Sequence, residues 1–180
     1  AHKFYGPKGV GALVARTPET LSPLLYGGAQ ERALRAGTEN LPGIAGLGAA
    51  ARLAARDLAA EAARVSALRD RLQAALLAAF PDARVNGGRA PRLPNTLNIA
   101  FPGLDALTAV MNLDLADIAV ATTSACATAK REPPHVLTAM GLPPDLALAS
   151  LRFSLGRSNT EDEVDRVAAV LADLLPQLRA

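Results

Sequence analysis

Several things are scarce in this sequence. It has one cysteine, two histidines, no tryptophan and 3% aromatic residues in 180 positions. A single thiol, Cys126, can form neither an internal disulfide nor a multi-thiolate metal site, so it is either a small packing residue or a reactive thiol in a reducing compartment. Neither His2 nor His135 has the neighbours of a zinc site; His135, after Pro133 and Pro134, reads as a local structural histidine, and Asp114 and Asp117 read as loop and cap carboxylates. Charge of one sign is also lacking. Lys+Arg 19 against Asp+Glu 17 leaves a net charge of +2 spread along the chain, so nucleic acid is not an expected partner despite a pI of about 9.0. Apolar runs stop well short of the roughly 20 residues a membrane span requires, and no signal-peptide pattern is recognised. No membrane attachment and a cytoplasmic location are therefore expected.

What is present suits a packed chain: 50% hydrophobic residues with 20% charged. Ala1-His2-Lys3-Phe4 carries no initiator Met and begins in chemically busy sequence, which reads as a fragment. Gly6-Pro7-Lys8-Gly9-Val10-Gly11 predicts a sharp turn before a short apolar strand, Ala12-Leu13-Val14-Ala15, closed by Thr17-Pro18. A second glycine-rich loop runs from Tyr26 through Gly27, Gly28 and Arg32 to Asn40, where Asn40 and Pro42 signal a helix start. The two loops are expected to flank one hairpin-like unit.

From Leu41 to Phe80, Leu41, Ile44, Leu47, Leu58, Val65, Leu68, Leu72 and Leu76 recur at helical spacing, predicting a helix about 60 Å long that suits a connection between two domains. Beyond it the pattern alternates in an α/β rhythm: a strand at Leu97–Phe101, a helix at Asp105–Leu113 and a strand at Asp117–Ala121. Thr122 to Lys130, small and polar without period, reads as a loop carrying the only thiol. A short helix at Val136–Met140, a strand at Leu151–Leu155 and a last helix opened by a Thr160-x-x-Glu163 capping box complete the pattern. Val164, Val167, Leu171, Leu174, Leu175 and Leu178 form the buried stripe of that last helix.

Three residues invite a chemical reading beside an ordinary one. Lys3 is a solvated surface lysine or an amine whose pKa must be lowered for Schiff-base chemistry. Cys126 is a packing residue or an exposed nucleophile on a loop able to travel. Arg152, alternating with Leu151, Phe153 and Leu155, is an exposed strand arginine or a bidentate clamp on a small carboxylate.

Taken in order, four blocks resemble the NifS/IscS-type cysteine desulfurases over nearly the whole chain. They are His2-Lys3-x-Tyr5-Gly6-Pro7-Lys8-Gly9-x-Gly11, Gly27-Gly28-x-Gln30-Glu31-Arg32 with Arg35-x-Gly37-Thr38, Ser124-Ala125-Cys126, and Arg152-Phe153-Ser154-Leu155-Gly156-Arg157. The resemblance implies the C-terminal half of a class V aminotransferase-like, fold-type-I pyridoxal phosphate enzyme, an α/β protein that is a homodimer when intact. It implies a remnant of the large cofactor domain over 1–45, a connecting helix over 46–82 and a small domain over 83–180. In that pattern Lys3 is the Schiff-base lysine, and His2 and Thr38 contact the cofactor phosphate, Thr38 across the dimer. Cys126 takes sulfur from L-cysteine as a persulfide, releasing alanine, and Arg152 binds the α-carboxylate. The step from Cys126 to Glu132-Pro133 resembles the long-loop branch that hands sulfur to an iron–sulfur scaffold or other acceptor protein.

Thr123 stands where the family has glycine, and Ala29 replaces a third glycine, which puts loop mobility and transfer rate in question. The family's ring-stacking residue, its aspartate partner for the pyridine nitrogen and further phosphate ligands lie before the lysine and have no counterpart here. The chain alone is accordingly expected to be inactive. Two alternatives remain at this point: a related selenocysteine or cysteine lyase, and a non-catalytic truncated module that binds a sulfur-transfer partner.

Overall fold

The computed structural model describes residues 1–122 and 132–179, and the chain divides into two compact units, Ala1–Ala59 and Ala60–Ala180. The helix predicted from apolar spacing forms as a single element, α1, Leu41–Ala79. Asn40 starts it: its Oδ1 accepts the Gly43 N–H at 3.1 Å, satisfying one of the donors that a helix start leaves free. Its apolar stripe is buried only in the second half, at Val65, Leu68, Leu72 and Leu76, whereas Leu41, Ile44 and Leu58 are exposed.

In the first unit, the segment before α1 contains only short 3-10 turns, at His2–Phe4, Pro18–Thr20 and Gln30–Ala33. The strand expected at Ala12–Ala15 does not form, and with it goes the hairpin-like unit. A strand needs a neighbour for its N–H and C=O groups; none of the described residues pairs with this stretch, and Leu13 and Val14 are 80% and 92% exposed.

The second unit is built on a three-stranded antiparallel sheet in the order β1 (Arg84–Val85), β2 (Thr96–Ala100), β3 (Ser150–Ser154). Leu97, Ile99, Leu151 and Phe153 point from one face into the core, where they meet the buried residues of α1, of α2 (Ala106–Leu115) and of α5 (Glu161–Leu178). Two short helices, α3 (His135–Ala139) and α4 (Pro144–Leu148), lead into β3. The capping box of α5 is present as predicted: Thr160 Oγ1 accepts from Glu163 N–H at 3.3 Å, and Glu163 Oε2 accepts from Thr160 N–H at 3.1 Å. Arg71 on α1 binds Asp165 of α5 through Nε and Nη2 at 2.7 and 2.6 Å, and Glu161 at 2.9 Å.

The strand expected at Asp117–Ala121 is reduced to one bridge, Ala121 with Arg152. The reason lies at the end of α2. Asp117 adopts φ 57, and Asp117 N–H and Ile118 N–H return to the carbonyls of Asp114 and Leu113, both at 2.9 Å. That is a Schellman closure, with Ile118 and Leu113 both buried, and it holds the first residue of the expected strand in the left-handed region.

Candidate functional site

His2 and Lys3 share one 3-10 turn, closed by Tyr5 at φ 68 and by Ala1 O, which accepts from Phe4 N–H and Gly6 N–H at 3.1 Å each. The turn runs directly into the glycine-rich stretch after it, and the two form one loop. Two glycines seat this loop on α1. A Cβ at Gly6 would lie 2.7 Å from Ala1 Cβ and 3.2 Å from Ala50 Cβ; a Cβ at Gly46 would lie 2.5 Å from Pro7 Cγ. The Lys3 and His2 side chains are exposed.

Thr38 stands in the second loop, also exposed, between Gly37 and the Asn40 cap. Gln30 Oε1 holds that loop by accepting Gly37 N–H at 3.3 Å. Glu31, Arg32 and Ala33 all adopt positive φ, at 48, 59 and 62. Consecutive left-handed residues cost about 1–2 kcal/mol each, so this loop carries backbone strain within the motif itself. Among the described residues no hydrogen bond joins Thr38 to His2 or Lys3.

Arg152 belongs to the second unit. It sits mid-strand on β3, with Asn98 of β2 as its register partner on one side and Ala121 on the other. Its backbone is held from that second side by Arg152 N–H to Ala121 O at 2.6 Å and Ala121 N–H to Arg152 O at 3.1 Å. Its side chain leaves the sheet on the face opposite the core and is half-buried; Nε is buried with no partner among the described residues. A buried guanidinium N–H without an acceptor is costly, and an anion relieves that cost. Cys126 and Thr123 lie outside the described residues; Ala121, the bridge partner of Arg152, stands five positions before Cys126 in the sequence. His135 begins α3 and is exposed.

A polar group beside Arg152 leaves only a faint trace in the sequence. Ser150, Asn86 and Asn98 are joined by hydrogen bonds across the sheet: Asn86 Nδ2 donates to Asn98 Oδ1 at 2.6 Å and to Ser150 Oγ at 3.0 Å. The available signal was Asn98, a polar residue placed between Leu97 and Ile99 in a strand pattern.

The sequence pattern of the aminotransferase class-V family matches residues 1–167. The chain belongs to the aminotransferase class-V family. A cysteine desulfurase of Nostoc sp. is 46% identical over 179 residues, covering 99% of this chain and 45% of the relative. A cysteine desulfurase IscS of Clostridium botulinum is 45% identical over 181 residues, covering 99% and 46%. Among solved structures, a NifS-like protein superposes with a TM-score of 0.86 at 37% identity, over 98% of this chain and 45% of that one. The chain thus spans a little under half the length of these relatives. Its fold is the α/β fold of the corresponding part of a fold-type-I class-V enzyme, as the motifs implied, with a long helix and a small sheet-containing unit.

Proposed function

We propose that this chain is the C-terminal half of a pyridoxal phosphate-dependent cysteine desulfurase. The observation that carries this reading is the likeness to cysteine desulfurases along nearly the whole chain. In this reading residues 1–45 belong to the large cofactor domain, 46–82 to the connecting helix and 83–180 to the small domain.

The donor set fits the cofactor: a primary amine at Lys3 for its aldehyde, and the His2 imidazole and Thr38 hydroxyl for a phosphate dianion. Bound pyridoxal phosphate would supply an electron sink for the bonds at the substrate Cα. Lys3 Nζ would hold the cofactor through its aldehyde, and its amine is the group that would move the substrate Cα proton. Arg152 fixes the α-carboxylate of L-cysteine and with it the orientation of the Cα bonds. Cys126 Sγ, as thiolate, takes the substrate sulfur. The balance is L-cysteine plus the Cys126 thiol giving alanine plus a Cys126 persulfide, with no outside oxidant. Ala121, bridged to Arg152 of β3, stands five residues before Cys126 in the sequence, and five residues of extended chain reach at most about 18 Å.

The persulfide then passes to a sulfur-acceptor protein such as an iron–sulfur scaffold, in the cytoplasm. Leu13, Val14, Leu24 and Tyr26, each 80% or more exposed, support a reading in which further polypeptide of the intact homodimer covers the first unit. The test replaces the matched stretch of the Nostoc enzyme with these 180 residues and supplies L-cysteine. Alanine release with one added sulfur on the Cys126 peptide is expected, the added sulfur being lost in Cys126→Ser. Sulfur transfer that survives Cys126→Ser contradicts the assignment.

A further inference from the structure

Asn98 stands in the same register row as Arg152, on the face of the sheet turned away from the core. Directly opposed side chains in an antiparallel pair have Cβ atoms about 4.5–5.5 Å apart, so whichever end of the Asn98 amide is presented there decides what Arg152 faces. The hydrogen bonds across the row fix that end. Leu146 O can only accept, and it takes the single Ser150 hydroxyl proton at 2.8 Å. Ser150 Oγ is then restricted to accepting, which requires Asn86 to present its NH2 group at 3.0 Å. The other Asn86 hydrogen goes to Asn98 at 2.6 Å, so the atom Asn98 turns toward Asn86 is its oxygen. Ser150 is fully buried, which isolates the start of this relay from water.

The Asn98 NH2 group is thereby left over, without a partner among the described residues, in the row that also contains Arg152. None of the relay's hydrogen bonds involves Arg152, whose Nε is buried and has no partner among the described residues. We propose that Asn98 is a second donor to the carboxylate received by Arg152, and that the Leu146–Ser150–Asn86 relay is the device that holds its amide in the donating orientation. The ligand class is a small α-amino carboxylate. This rests on the reading of Arg152 as the carboxylate receiver.

Asn98→Asp separates this role from a structural one. One oxygen of the introduced carboxylate still accepts from Asn86 Nδ2, so the relay survives, but the row now offers Arg152 an internal carboxylate. The probe is L-alanine titrated into the nitrogen-15-labelled enzyme in which this chain replaces the matched stretch of the Nostoc relative, following the Arg152 Nε–H and Asn98 side-chain NH2 signals, with methylamine as the control lacking a carboxylate. Both signals are expected to move with one midpoint for L-alanine and to stay still for methylamine. Asn98→Asp should weaken binding by at least about tenfold, more than Asn98→Ala does, while the folded amide spectrum is kept. An unmoved Asn98 signal, or Asn98→Asp binding as the parent does, with Arg152→Ala still abolishing binding, overturns the proposal and leaves the clamp standing. A still Arg152 signal in the parent, or unchanged binding in Arg152→Ala, overturns the clamp reading and the proposal together.

Discussion

Arg152 combines a backbone locked between Asn98 and Ala121 with a side chain that has no acceptor for Nε among the described residues. Its substitution should therefore change binding more than folding. Arg152→Lys keeps the charge but loses the planar fork, and it should weaken carboxylate binding by about tenfold with little change in melting temperature. Calorimetric titration with L-alanine beside a thermal melt checks both halves. Glu163 and Asp165 belong to the same scale. Hydrogen bonds from Asn159 and the Thr160 backbone hold the Glu163 carboxyl below the usual carboxylate range, and those from Arg71 do the same to Asp165. Because the folded state releases these protons more readily than the unfolded chain, their stabilisation is present above the ordinary carboxylate pKa and is lost as pH falls through the lowered values. Melting temperature should accordingly fall on acidification below about pH 4, and less steeply in Asp165→Asn. An equal slope in that variant would remove Asp165 from the explanation.

At the level of elements, α1 and α5 were legible because their signals are local and redundant. Apolar residues at helical spacing predicted α1 to within a residue, and Thr160 with Glu163 marked the start of α5. Thr160→Ala should cost about 1 kcal/mol, measured by denaturant unfolding, since it removes one arm of the capping box. What failed were two strands whose existence depends on a partner. Ala12–Ala15 has the composition of a strand but no pairing neighbour, and Asp117–Ala121 begins in the Schellman closure of α2. Of the proposed site, Lys3, Thr38 and Arg152 stand in motifs recognisable in the sequence, whereas the relay through Ser150, Asn86 and Asn98 depends on register across strands distant in sequence. Gly46 was overlooked for a similar reason, since its meaning lies in the approach of Pro7. Gly46→Ala places a methyl 2.5 Å from Pro7 Cγ and should displace the turn carrying Lys3. The expected outcome is reduced cofactor labelling at Lys3 with an unchanged melt of the second unit.

The whole molecule is unevenly consolidated. Residues 1–40 include none that is fully buried, while Leu97, Ile99, Leu113, Leu151, Leu171 and Leu175 are completely shielded. Hydrogen exchange should therefore be fast across the first 40 residues and slowest in β2 and β3; slow exchange at Leu13 and Val14 would contradict this picture. Leu171→Ala, at a fully buried position of α5, should destabilise the second unit by about 2–5 kcal/mol in denaturant unfolding. On the proposed reading, in which Lys3, Cys126 and Arg152 are only part of the site of a longer enzyme, the isolated chain should release no alanine from L-cysteine. The most direct test of the proposed function is borohydride reduction with pyridoxal phosphate of the enzyme in which this chain replaces the matched stretch of the Nostoc relative, followed by mass mapping. The chain contributes only Lys3, Lys8 and Lys130, so the result is decisive. Label confined to Lys3 is predicted; label on Lys8 or Lys130, or spread over all three, would contradict the assignment.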